Sequence, residues 1–215
     1  MEVKAADIVL ALMQFLEILL PGAFISFLLR DFADAHIFGP GLILPKASGE
    51  AQPWVVFFFS SYLLGHFVFL IASFLDGLMY DRARRTFKPK TRDLAFQKAE
   101  LIKRRRMEEE DGKEVVNTFQ WVKAKMNLEF PAALGEIKRH ESDSKFFRSL
   151  VIVFLAVAVL QCYRANWVSV LGCLLFSLLS FWRYFDQRWK STQIAYTHLI
   201  AMEDLGHEKS LRHTA

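Results

Sequence analysis

The stretch Met79-Tyr80-Asp81-Arg82-Ala83-Arg84-Arg85, taken up again at Lys103-Arg104-Arg105-Arg106, decides the fold. It opens a segment, Met79 to Lys145, that carries 17 Lys/Arg and 12 Asp/Glu, and long apolar runs lie on both sides of it. Charge of that density stays out of hydrocarbon, where a centred Arg, Lys or Asp costs about 3 kcal/mol even on lenient scales. Loops rich in Lys and Arg remain on the cytoplasmic face of a bilayer. The expected fold is therefore an all-α membrane protein. Four transmembrane helices form two antiparallel hairpins, with a cytoplasmic helical insertion between spans two and three and a cytoplasmic C-terminal helix.

Bulk composition agrees with this reading. Of 215 residues, 53% are hydrophobic and 21 are Phe, with mean hydropathy +0.20, which no ordinary soluble domain needs. The net charge of +4 suits a nucleic-acid binder in size, but such a protein has no use for four apolar runs, so the expected charged partner is a bilayer with anionic headgroups. Cys162 and Cys173 lie in or beside apolar runs without Cys-x-x-Cys spacing or neighbouring His. A zinc site and a disulfide framework are thus not expected, and neither metal nor cofactor is assigned. Met1-Glu2-Val3-Lys4 lacks the basic start of a signal peptide, and the first apolar run is too long for one. It reads as a retained span.

Outward from the basic segment, residues 6–80 form the first hairpin, with spans at about 6–29 and 54–80 joined by an external loop at 31–53. That loop holds Gly39-Pro40-Gly41, Pro45 and Pro53 and a single basic residue, Lys46. Residues 81–145 form the basic helical segment. Within it, Arg92 to Glu110 reads as a charged helix stopped by Asp111-Gly112. A second helix carries Val115, Phe119, Val122 and Met126 at helical spacing, and Pro131 starts a third. Apolar residues are too few there for a stable core without the membrane or a partner. Ser142-Asp143-Ser144 is expected to cap the helix that becomes span three, so that residues 146–187 make the second hairpin around Arg164-Ala165-Asn166. Residues 188–215 hold a last helix, about Ser191 to Leu205, ended by Gly206. Both termini then lie in the cytoplasm of a bacterial inner membrane.

Within the spans, Glu17 and His66 stand out. Each lies ten residues from the cytoplasmic end of its helix, at Asp7 and Asp76 respectively. At 1.5 Å per residue both sit roughly 15 Å into the bilayer. A carboxylate at that depth is neutral, paired or in contact with water. His66 is a suitable partner, leaving its other ring nitrogen for Tyr62. The pair reads either as an interhelical hydrogen bond or as an ion- or proton-responsive site. Pro21-Gly22 predicts a helix kink just beyond Glu17.

Asp76-Gly77-x-x-Tyr80-Asp81 is similar to the start of the metal-binding signature of membrane phosphatidyltransferases, Asp-Gly-x-x-Ala-Arg, but the remaining aspartates are missing. Two aspartates make no bimetal site, and no other catalytic constellation is present, so no catalytic residue is assigned. Arg82, Arg84, Arg85, Lys103, Arg104, Arg105 and Arg106 are expected to meet lipid headgroups. Phe119, Val122 and Met126, with Ile194, His198 and Met202, either pack on each other or offer a groove to a soluble partner.

Four stretches together carry a resemblance: Glu17-x-x-x-Pro21-Gly22, Ser61-Tyr62-x-x-Gly65-His66, Ser142-Asp143-Ser144-Lys145-Phe146-Phe147-Arg148, and Arg183-Tyr184-x-x-x-Arg188-x-Lys190. The set resembles a group of uncharacterised bacterial four-span inner-membrane proteins and covers most of the chain. In size and plan the chain is also similar to the small membrane subunits of bacterial antiphage operons, such as that of Kiwa. No activity comes with that resemblance; a cytoplasmic segment with apolar stripes but little core of its own instead leads to the expectation of a non-enzymatic membrane scaffold or sensor. It would be homo-oligomeric, with a cytosolic protein partner. An oligomeric pore or ion-responsive channel is the second expectation, and a lipid-modifying enzyme using Asp76 and Asp81 the third.

Overall fold

A computed structural model describes residues 5–33, 51–87, 93–107 and 116–214. The described chain is nearly all helical. In order the elements are α1 (Ala5–Ala33), α2 (Ala51–Leu75), a π-helical turn (Asp76–Tyr80), α3 (Asp81–Phe87), α4 (Leu94–Met107), α5 (Thr118–Glu129), α6 (Pro131–Tyr163) and α7 (Trp167–Thr214). The Asp111-Gly112 stop, Val115 and most of the 31–53 loop lie outside the described residues.

The chain divides into two compact units, Met1–Leu78 with Ser142–Asp186, and Met79–Glu141 with Gln187–Ala215. Four helices are long and apolar enough to cross a membrane, and together they make up most of the described first unit. This is a multi-pass membrane protein by length and composition.

In the first unit, small residues set the packing. A Cβ added to Gly22 would collide with the Ser61 carbonyl and the Gly65 backbone, and one added to Gly65 would meet the Ile18 carbonyl. Gly22 and Ser26 on α1, and Ser61 and Gly65 on α2, are each four residues apart and buried. This small-xxx-small pattern lets two backbones touch where lipid supplies no hydrophobic drive between helices. Pro21 is fully buried, and α1 continues through it. Val68, Val153 and Val157 form a second contact, flanked by Ile25, Leu28, Ile152 and Cys173. Phe154 stacks on Phe176, and the Ser177 hydroxyl donates to the Val151 carbonyl, joining α6 to α7.

The second unit has an interior of the ordinary kind. Phe96, Ala99 and Ile102 of α4, Phe119, Val122 and Met126 of α5, Ile137 of α6, and Ala195, Tyr196 and Leu199 of α7 pack into one buried cluster. The apolar residues of the 81–145 segment, few on their own, are completed by a wall that α7 supplies. Local chemistry places the helix starts: Asp93 accepts from the Phe96 amide at 3.1 Å, Asn117 accepts from the Phe119 amide at 2.9 Å, and Pro131 opens α6.

Three expected helix ends are absent. α6 runs unbroken through Ser142-Asp143-Ser144, and α7 runs on through Ser191 and past Gly206 to Thr214. Serine and threonine caps read from sequence compete with mid-helix uses of the same hydroxyls. Ser142 bonds a glutamate on α1, while Ser191 and Thr192 bond back to the Arg188 and Trp189 carbonyls.

Candidate functional site

Two places in the first unit join a carboxylate to polar side chains of another helix. The larger is built from Asp76, Arg148 and Tyr184. Asp76 begins the π-helical turn that follows α2, and such turns mark local register changes that re-aim side chains. Arg148 lies on α6 with its side chain only 7% exposed, and donates from Nη1 to Asp76 Oδ2. Tyr184 of α7, buried, donates its hydroxyl to Asp76 Oδ1. The guanidinium also lies over the Phe69 ring, 5.0 Å from its centroid. One carboxylate thus holds three helices, with an aromatic face completing the cation's shell. Arg148 Nε is buried without a hydrogen-bond partner, as is the Ser149 hydroxyl beside it. Buried polar atoms left unpaired carry a cost of about 1–3 kcal/mol each.

The smaller place is Glu17. The residue is 7% exposed, and the Ser142 hydroxyl of α6 donates to its Oε2. Met13, Leu16, Glu17 and Leu20 of α1, with Ser142, Asp143 and Phe146 of α6, line an open cleft of about 160 Å³.

His66 is exposed and meets Tyr62 edge to face, with centroids 4.7 Å apart, and Tyr62 in turn stacks on Phe15. The Ile18 carbonyl lies against Gly65, so the residues next to each share a depth. Successive residues on a helix point about 100° apart. With Ile18 and Gly65 occupying the α1–α2 contact, Glu17 turns toward α6 and His66 turns outward. Matching depth did not mean matching direction.

The expected headgroup set is divided by the structure. Lys103 is 1% exposed and donates to the Val116 carbonyl, which takes it away from any headgroup. Arg84 is held between the Phe96 and Trp189 rings at 5.7 and 5.6 Å and lies 3.6 Å from Asp93, which also accepts from Gln193. Arg104 pairs with Glu100, and Arg106 with Glu203, both at 2.9 Å. Arg82, Arg85 and Arg105 are exposed. The Phe119, Val122 and Met126 stripe is buried in the second unit's own core, with Ile194 and Met202 packed against that core, so it offers no open groove. His198 lies 3.6 Å from Glu136.

Sequence reasoning missed Arg148, Tyr184 and Ser142 as partners. A signal was present: Asp76 ends span two, Arg148 begins span three and Tyr184 ends span four, three polar residues at corresponding ends of apolar runs. Among the described residues no group of three His, Cys, Asp or Glu is placed to hold a metal ion. No family model, no curated protein and no solved structure matches the chain.

Proposed function

We propose that the protein is a membrane-embedded scaffold or sensor that recruits or regulates a cytosolic protein. The observation that carries this is the second unit: it closes its own core and so presents a standing, charged outer surface on a chain anchored by four apolar helices. The partner face is that outer surface, where Leu94, Leu101 and Leu128 are exposed among charges, and not the buried stripes. Two antiparallel hairpins, with the second unit and both termini in the cytoplasm, follow from the basic content of 79–145. The resemblance to antiphage membrane subunits fits this plan, with the partner encoded beside it, and homo-oligomerisation through the apolar unit belongs to the same reading. Arg82, Arg85 and Arg105 lie against anionic headgroups.

The test is purification in mild detergent from the native host, with the mass of the intact complex. A stoichiometric soluble protein is expected, lost in a Leu101→Arg/Leu128→Arg variant that keeps the elution profile of the parent. Isolation of the chain alone, after crosslinking in intact cells, would overturn the reading.

A second reading, an oligomeric ion- or proton-responsive conduit, is favoured by the buried Glu17 carboxylate beside an open cleft. Ion leakage and pH response unchanged in Glu17→Gln would remove its basis.

A further inference from the structure

We propose that the outward face of α2 around His66 is the contact through which a second copy of this chain packs within the membrane. This rests on the homo-oligomer of the scaffold reading and gives that oligomer a place and a cause.

His66 is an exposed imidazole in the middle of an apolar helix, roughly 15 Å along the axis from Asp76. Phe59, Leu63, Phe67 and Leu70 around it are exposed as well, so no helix of its own chain covers this face. Its neighbour is the Tyr62 ring, edge to face at 4.7 Å. Among the described residues, no hydrogen bond reaches either ring nitrogen or the Tyr62 hydroxyl. Ser73, two turns along the same side, meets the same surroundings differently: its hydroxyl returns to the Leu70 carbonyl at 2.6 Å. Lipid tails offer His66 no such partner, and an unpaired polar group in hydrocarbon is costly.

A soluble protein does not reach this depth, so the partner is itself embedded in the bilayer. Copies of one chain insert in one orientation and carry their polar residues at one depth. A two-fold axis along the membrane normal therefore sets His66 opposite His66 of the second copy, with Tyr62 of each one turn away. A neutral imidazole has one N–H and one bare nitrogen, and a phenol both donates and accepts. Two copies together bring enough donors and acceptors to pair every ring nitrogen across the contact. Hydrogen bonds of this kind join helices where lipid supplies no hydrophobic drive.

The test measures association of the full-length protein in phosphatidylcholine vesicles. Energy transfer between dyes on the exposed Cys162, in a Cys173→Ala background, is followed as protein is diluted in lipid. His66→Leu is expected to weaken association at least tenfold, while His66→Asn, which keeps a donor and an acceptor, stays within about threefold of the parent. In native membranes, with Cys162 and Cys173 replaced by alanine, Phe59→Cys is expected to form an oxidative dimer. Leu178→Cys, exposed on α7, is expected to form none. Association of His66→Leu like the parent, or of His66→Asn as weak as His66→Leu, overturns the proposal. A dimer through Leu178→Cys in place of Phe59→Cys overturns it too, and leaves the homo-oligomer standing through another face. A parent that stays monomeric at every protein density removes both the homo-oligomer and this contact.

Discussion

The two units of this chain are turned inside out with respect to each other. In the first, large apolar side chains such as Phe59, Phe74, Leu171 and Trp182 are exposed, while Glu17, Arg148, Ser26 and Ser61 are buried. In the second, Phe119, Ile137, Tyr196 and Leu199 are inside, and Arg82, Arg85, Arg105 and Lys98 are outside. The rule is the same in both: each unit hides what its surroundings solvate worst. Water rejects apolar area at about 25 cal/mol per Å², whereas hydrocarbon rejects unpaired polar atoms at several kcal/mol each. Polarity is the cohesive element of one unit and apolarity that of the other.

The sharpest way to break this contrast is to strand a charge in the first unit. Arg148→Ala leaves Asp76, whose side chain is 37% exposed, with Tyr184 alone, and is expected to cost about 1–3 kcal/mol once solvent screening of the carboxylate is counted, read as earlier thermal unfolding in nanodiscs. The double change Arg148→Met/Asp76→Leu removes both charges and is expected to recover most of that loss. A double variant as unstable as the single one would show that packing, rather than charge, holds these helices.

In the second unit the corresponding change is apolar. Ile137→Ala, at a fully buried position, is expected to cost about 2–5 kcal/mol. It should open the second unit to trypsin while leaving cleavage within the first unit unchanged. Equal protection in variant and parent would contradict the core described here.

How much of this was legible in the sequence follows from the same contrast. The four apolar runs and the stripe at Phe119, Val122 and Met126 are period and length signals, and both are strong. What the stripe packs on was not legible, because Tyr196 and Leu199 lie some 70 residues away, beyond two apolar runs. The partners of Glu17 and Asp76 were not legible for a different reason. Sequence gives depth along a helix but only a relative angle around it. The angle is fixed by the Gly22–Gly65 contact, which sequence shows only as two small residues.

Smaller effects sharpen the comparison at the second unit's margins. Asn117→Ala removes the cap of α5 and is expected to cost about 1 kcal/mol, measurable as reduced amide protection at Phe119. Arg106→Ala breaks a pair with Glu203 whose arginine is 61% exposed. At most about 1 kcal/mol is expected there, fading as salt rises, because surface pairs are screened. Salt-independent loss would mean that the arginine stem, not its charge, matters.

The close approach of Gly22 and Gly65 also bears on biogenesis. Helices of this kind enter the bilayer singly and associate afterwards. A bulky residue at Gly22 would therefore leave membrane insertion intact and block only the later pairing of two finished helices. Such a variant is expected to be integrated at normal levels in pulse labelling and then cleared by membrane proteases. The signature of this contact in a cell is a shortened lifetime, with translocation untouched.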